Sequence, residues 1–379
     1  MRKVLLVVAA LIALVALYLL AWPVPVDPVV WQAPASTGYT GAHARNDRLA
    51  QARLVSIAPE VGPEHIEFGP DGLLYTGTLA GTILRLNPAA GSPPEVVART
   101  GGRPLGLAFD ANGQLLVADA MRGLLAIGAN GESRVLADSV DGTPILFADA
   151  VVVAQDGKVL LTDATQRMSP RQYGTFDAAL FDILEQSCTG RVLEYDPAAQ
   201  STRVIAQGLC FPNGVALSAD EQSLLIAETG TYRVLKISRA AQRIDAGDAL
   251  RNQTPGVSVL LDNLPGFPDN LTRGADGRYW TGFTKPRSAT IDDLSGKPWL
   301  RALTLRLPKA LWPVPPAYGH VIAFDEEGTV LLDLQDPAGK LPETSGATEH
   351  DGMLYVQSLH ATTFGVLPLS AAAGPPRSP

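Results

Sequence analysis

The chain has 379 residues, with 30 Lys and Arg against 38 Asp and Glu for a formal net charge of −8, which argues against a nucleic-acid binder that must present a basic face to phosphate. Charged residues make up only 18 % of the chain, whereas 36 Gly and 30 Pro indicate a turn-dense, β-rich fold. Two cysteines, Cys188 and Cys210, exclude a disulfide-dense scaffold and a four-thiolate zinc site, so any metal must be held by other ligands.

The first predicted element is apolar. Residues 4–22 carry no charge and follow Arg2 and Lys3, a run long enough to cross the roughly 30 Å hydrocarbon core as a helix. A cleaved secretory signal has a shorter apolar region and a small-x-small cleavage site. The run here ends Leu-Leu-Ala-Trp-Pro, which favours an uncleaved signal anchor spanning residues 1–22. The two basic residues then stay cytoplasmic, and the rest of the chain is periplasmic or extracellular. Residues 23–50, rich in Pro, Ala and Gly, read as a linker.

From residue 51 to about 370 one unit repeats. An apolar-alternating run, a two-residue turn and a second apolar run occur as HIEFGPDGLLYTG, LGLAFDANGQLLVAD, AVVVAQDGKVLLTD, GVALSADEQSLLIAE, NLTRGADGRYWTG and TEHDGMLYVQS. Asp-Gly or Asn-Gly between such runs signals a tight hairpin, because both residues tolerate the positive φ the turn demands. Five copies carry a second, outer hairpin, and the last supplies only FGVLPL. The unpartnered RLVSIAP at 53–59 can complete that last unit and so protect its open edge. The expectation is an all-β fold, a six-bladed β-propeller closed by an N-terminal strand in the last blade. Roughly 53 residues per unit exceeds the 40–45 of compact propeller repeats; the excess lies in insertions at 165–187, 239–256 and 285–318. Residues 371–379 read as a flexible tail.

The first insertion contains Phe176, Ala179, Leu180, Ile183 and Leu184 at helical spacing, a short amphipathic helix that either covers the channel mouth or lies against the membrane. Cys188 and Cys210 are nearly equidistant from the hairpin turn near Ala199. That spacing puts them across from each other at the open end of two paired strands, as a disulfide in an oxidising compartment or as two buried thiols. Trp299 and Trp312, near the third insertion, are candidates for an apolar rim, and Trp280 for burial in a blade.

In a propeller the loop entering each inner strand sits over the axis. Those loops hold Glu64, Pro104, Asp149, Asn213, Asp269 with Asn270, and Glu349, so oxygen donors recur at one point of the repeat. Convergent hard oxygens suit Ca²⁺, whereas Zn²⁺ asks for His or Cys. Of the five histidines, His65 either packs in its strand or serves the site; His43 lies in the linker, and His350 and His360 flank the last inner strand as packing or surface residues. No GxSxG nucleophile elbow is present, so an α/β-hydrolase triad is unsupported.

The segments GPEHIEFGPDGLLYTG, GLCFPNGVALS, LPGFPDN and TEHDGMLYVQS together resemble the strictosidine-synthase-like and adipocyte plasma-membrane-associated protein family, within the wider superfamily of senescence marker protein 30, gluconolactonase and paraoxonase. The resemblance implies a six-bladed propeller behind one N-terminal anchor and places the calcium ligands of the hydrolase members on Glu64, Asn213, Asp269 and Asn270. A second, structural ion is a further possibility. Departures are equally informative. Ala148 stands where the lactonases and paraoxonases have another Asn, leaving neighbouring Asp149 to compensate or to act as general base. Leu146 replaces the substrate-binding Arg of the sugar-lactone enzymes, and Leu105 replaces the His base proposed for the paraoxonases. Ser345 aligns with the amine-condensing Glu of the plant synthases, with Glu343 nearby, so that condensation is disfavoured. The implied function is a Ca²⁺-dependent hydrolase of small-molecule esters or lactones, with Asp149 or Asp269 as base; the alternative is a non-catalytic, calcium-stabilised binding module of the cell envelope.

Overall fold

The computed structural model describes residues 1–373. The chain begins with a 20-residue helix, Arg2–Ala21, none of whose residues is buried; at 1.5 Å per residue it is about 30 Å long, enough to cross a bilayer. The expected tail falls largely outside the described residues, although Leu369–Ala373 form a short helix.

Six antiparallel sheets follow in chain order. The inner strands are Ile66–Phe68, Pro104–Phe109, Ala148–Val153, Pro212–Leu217, Gly266–Arg273 and Ala347–His350. In five blades a two-residue turn closes the inner hairpin with a glycine at positive φ, from +72° to +82° at Gly72, Gly113, Gly157, Gly277 and Gly352. In the fourth, Glu221 takes that conformation at φ 54°. Arg53–Ser56 pairs antiparallel with Thr363–Val366 and supplies the outer strand of the sixth blade, so the ring closes on its own N-terminal strand as the repeat requires.

The core lies between neighbouring blades. Ala150, Leu160, Val192 and Ile205 of blade three, for example, pack against Val215, Leu224, Leu235 and Ile237 of blade four. Alternate residues of each strand meet alternate faces, so every blade is buried on both sides, which accounts for the low charge content.

The three insertions part company. Residues 165–187 form helices Pro170–Tyr173 and Thr175–Glu185, and residues 285–318 form Ala289–Asp293, Pro298–Thr304 and a short Lys309–Leu311 turn. Asp177 and Lys309 join the two with a 2.7 Å ion pair. The middle insertion instead lies at the outer edge of blade three, where Ile244–Asp245 adds a parallel strand against Ala206–Gln207. Cys188 and Cys210 are disulfide-bonded, at the open end of the pair formed by Gly190–Asp196 and Ser201–Leu209.

The segment after the N-terminal helix is threaded along the insertions. Val29 N donates to Glu185 O at 2.8 Å, Trp31 N to Ser295 O at 3.4 Å, and Asn263 Nδ2 to Ala35 O at 2.8 Å. Arg306 donates to the carbonyls of Leu19 and Trp22 at the end of that helix.

Candidate metal centre

The inner strands of blades three, four and five lose register where their candidate residues stand. The pairing slips between Ala148 and Val151, between Pro212 and Val215, and between Pro268 and Leu271, so Asp149, Asn213, Asp269 and Asn270 each sit in a bulge. A bulge turns a side chain away from the alternation of its strand, and here towards the axis. Pro212 and Pro268 begin two of these bulges and bring no N–H to the ladder. Glycine sets the spacing between blades. A Cβ on Gly214 would lie 2.2 Å from Leu271 N and 2.6 Å from Asp269 O, and one on Gly106 would lie 2.7 Å from Val151 N. Only glycine lets adjacent inner strands approach so closely.

The result is a cluster of buried oxygens. Glu64, Asp149 and Asp269 bring carboxylate oxygens within 4.8 Å of one another, and all three residues are at most 4 % exposed, with Asn213 at 6 %. Glu64 Oε2, Asn213 Oδ1 and Asp269 Oδ1 are buried without a hydrogen-bond partner. Such groups are rare in folded proteins and costly to leave unmet. Asn270 does something different: its Nδ2 donates to Glu64 Oε1 at 2.7 Å and to Glu64 O at 2.9 Å, fixing the glutamate's position. Thr162 Oγ1 donates to Asn213 O at 2.6 Å and Thr229 Oγ1 to Pro268 O at 2.6 Å, tying each bulge to the preceding blade. Acids at the ends of second strands hold the entry loops: Asp163 Oδ1 accepts from Leu146 N and Phe147 N, and Glu228 Oε1 from Cys210 N.

Burial raises the carboxyl pKa of Glu64 to about 7, against the guanidinium of Arg103 and the amide of Asn270, which lower it. Burial and the neighbouring acids push Asp149 and Asp269 well up. Arg103 is itself buried, donates to Gly62 O at 3.2 Å, and leaves Nε and Nη2 unpartnered. Arg103 is the cation beside Glu64, Asp119 and Asp149, so acids outnumber it and a bound cation would favour their ionised forms. Ala148 packs in the core between blades two and three, so Asp149 alone represents that loop at the axis.

Of the residues marked in the repeat, Glu349 was misplaced, and His65 and His360 take one of the places left open for them. Glu349 is not at the axis: blade six enters its inner strand at Ala347, which carries position 349 along the strand to Trp280 Nε1 at 2.6 Å and Arg278 Nε at 2.8 Å. Ser345 takes the equivalent place, with its hydroxyl on Glu64 O. His65 is buried, accepts from Leu107 N at 2.9 Å, and burial lowers its pKa to about 4. It is a neutral strut between blades one and two. His360 lies in the cavity wall rather than on the surface, with Nδ1 2.7 Å from Glu343 Oε2, and Lys285 Nζ is 2.8 Å from Glu343 Oε1. These three polar residues and Arg103 were not marked as functional by any motif; the repeat register of LPETSG would have flagged Glu343 alone.

Above the oxygens lies a cavity of about 160 Å³. Leu105, Phe147, Phe211 and Phe267 form its walls; Phe176, Ala179, Leu180, Ile183 and Leu184 of helix Thr175–Glu185 and Trp312 and Val314 of the third insertion cover it. All five residues marked in the first insertion thus line the cavity. Trp280 is fully buried, whereas Trp299 is 63 % exposed.

The architecture defines a class, the six-bladed propellers with an acidic axial centre. Its fold is shared by a gluconolactonase from Xanthomonas campestris (TM-score 0.57, 18 % identity, 92 % of this chain and 99 % of that one) and by the calcium-binding protein regucalcin of Agrobacterium tumefaciens (TM-score 0.57, 15 % identity, 84 % and 93 %). The strictosidine synthase model matches residues 149–240, and the model for the N-terminal part of strictosidine synthase-like proteins matches residues 41–86. Adipocyte plasma membrane-associated protein is 34 % identical in Salmo salar over 91 % of this chain and 85 % of that protein, and 30 % identical in Homo sapiens over 94 % and 86 %. The chain belongs to this strictosidine synthase-like, adipocyte plasma membrane-associated protein family. The apolar N-terminal helix and the membrane-associated relatives point together to a single-pass membrane protein.

Proposed function

We propose that this protein is a membrane-anchored hydrolase of esters or lactones that depends on a divalent cation, Ca²⁺, at the propeller axis. The observation that carries the proposal is the set of buried, unpartnered oxygens of Glu64, Asn213 and Asp269 at the floor of an apolar cavity. An all-oxygen set fits Ca²⁺; Asp149 lies within reach as a further donor, and Asn270 positions Glu64. A bound Ca²⁺ would act as a Lewis acid on the carbonyl of an ester or lactone.

The chain's own residues do the rest. The aromatic walls exclude water and hold the acyl or aryl part of the substrate. Asp149 and Asp269 are the candidates to take the proton of the attacking water. Of the two, whichever keeps an oxygen free of the cation is the stronger base, because a directly bound carboxylate loses basicity. Glu343 fixes Nδ1 of His360, leaving Nε2 as the atom that can exchange a proton with a departing alcohol.

The geometry favours lipid-soluble substrates. Phe176, Trp299, Leu311 and Val314 are exposed on the two insertions that form the lid, and the same lid holds the end of the anchor through Arg306. The lid then faces the bilayer, with Arg2 and Lys3 cytoplasmic and the propeller in the oxidising compartment where the Cys188–Cys210 bond forms. A second reading, a calcium-stabilised binding module, is favoured by Leu105 in the wall where a His base would stand. Hydrolysis of aryl esters and lactones of increasing acyl length by the purified full chain separates them. The hydrolase reading expects turnover that is lost with chelator; ligand binding without turnover supports the module.

A further inference from the structure

A second constellation lies far from the axis, where the segment following the anchor crosses the outer strands of blade five. His43 closes a short 3-10 turn, Gly41–His43; His320 and Asp333 stand on paired strands Gly319–Phe324 and Val330–Asp336. His43 Nδ1 is 2.8 Å and His320 Nε2 2.9 Å from the same oxygen, Asp333 Oδ2. The other oxygen is already engaged: Asp333 Oδ1 accepts from Asn46 Nδ2 at 3.0 Å and Gln335 Nε2 at 2.5 Å. All three side chains are at most 15 % exposed. Beside them two buried atoms have no partner, His320 Nδ1 and the hydroxyl of Tyr39, whose rings lie 5.6 Å apart.

We propose that His43, His320 and Asp333 form a second metal site, selective for Zn²⁺ or a similar first-row divalent ion, that latches the anchor-proximal segment onto the propeller. Two imidazole nitrogens and one carboxylate oxygen are borderline donors, the set that Zn²⁺ prefers and Ca²⁺ does not. The three donor atoms lie within 4.8 Å of one another, and a tetrahedral ion about 2.0–2.2 Å from each would replace the two hydrogen bonds to Oδ2 by opening their spacing to about 3.4 Å. The hydrogen bonds of Asn46 and Gln335 to Oδ1 orient the carboxylate as outer partners of metal sites do. Tyr39 or water completes the sphere. The site also meets a structural need: Val26 and Leu49 bury apolar side chains at either end of residues 23–50, and a metal staple would fix the stretch around His43 between them. Its chemistry is distinct from that of the all-oxygen axial centre, so the two sites separate by metal.

The test uses the full chain in detergent, stripped with chelator, dialysed and titrated with Zn²⁺ alone. Metal content and calorimetry should show one tight Zn²⁺, and His43→Ala should weaken it by about 100-fold or more, since a ligand is lost, while Ca²⁺ binding is unchanged. His43 lies outside the blades, so this variant keeps the fold; Asp333→Asn provides a second variant, and Glu64→Gln is the converse control that keeps Zn²⁺. Bound Zn²⁺ should also slow tryptic cleavage after the exposed Arg45. A stripped protein that takes up no Zn²⁺, or Zn²⁺ binding that His43→Ala leaves intact, would overturn the proposal.

Discussion

Glu64 is the residue on which the site turns, because it meets Asn270 from blade five, Ser345 from blade six and the carboxylates of blades three and five. In the metal-free protein its pKa is raised to about 7, above the roughly 4.3 of an unfolded glutamate. The unfolded chain therefore binds fewer protons between those values, and the metal-free fold loses stability as pH rises through that window. Thermal unfolding in chelator should show Tm falling from pH 5 to pH 8, and saturating Ca²⁺ should remove the fall by stabilising the ionised acids. Glu64→Gln should remove one share of that pH dependence, Asp149 and Asp269 supplying the rest, while weakening Ca²⁺ binding. A Tm profile in chelator that rises across the same range would count against the assigned ionisation. Asp149→Asn and Asp269→Asn make a second residue-level pair. Loss of a general base costs about 10²–10⁴-fold in turnover, so the residue acting as base should show that loss in kcat, and a residue acting only as ligand should recover activity at higher Ca²⁺.

At the scale of elements, the bulges and the disulfide carry the weight. A Cβ at Gly214 meets the backbone of Leu271, so Gly214→Ala must push blades four and five apart at the site. The expected outcome is a loss of several-fold or more in Ca²⁺ affinity, read by calorimetry, with a smaller effect from Gly296→Ala, whose added methyl meets nothing. The Cys188–Cys210 bond closes 22 residues, and loop-closure entropy alone assigns it about 3 kcal/mol. The Cys188→Ser, Cys210→Ser double variant should lose about that much in urea unfolding, and an unchanged midpoint would show the bond to be dispensable.

These elements also mark how far the sequence was legible. The blades were, because turn glycines and alternating apolar runs report local conformation that packing only confirms. So was helix Thr175–Glu185, whose apolar stripe predicts which residues line the cavity. The bulges were not: they arise where a strand yields to its neighbour, and nothing in FPNG or FPDN alone says which residue turns inward. For the same reason the alternation did not show that Glu349 leaves the axis, although the repeat did single out Asp149. Glu343 and His360 come together at the open end of the inner hairpin of blade six, in loops whose path the repeat pattern does not specify.

For the whole molecule, closure, lid and anchor are linked. The strand Arg53–Ser56 closes the ring a few residues after the segment that runs from the anchor past the lid. Deleting residues 1–56 should expose the edge of blade six and give aggregated protein, whereas deleting residues 1–22 should leave a folded propeller; size-exclusion chromatography distinguishes them. The exposed apolar lid residues predict that the propeller lacking its anchor still associates with lipid vesicles, and that Trp299→Ala with Leu311→Ala weakens this association. Retained vesicle binding by that double variant would remove the lid from the membrane contact.

The central claim is that buried oxygens from several blades hold a divalent cation. A crystal structure of the propeller grown with Ca²⁺ tests it most directly. The expected result is an ion about 2.3–2.6 Å from oxygens of Glu64, Asn213 and Asp269, with Arg103 still behind the site on Gly62. An axis without an ion, in which Arg103 has moved forward to pair with those carboxylates, would contradict it.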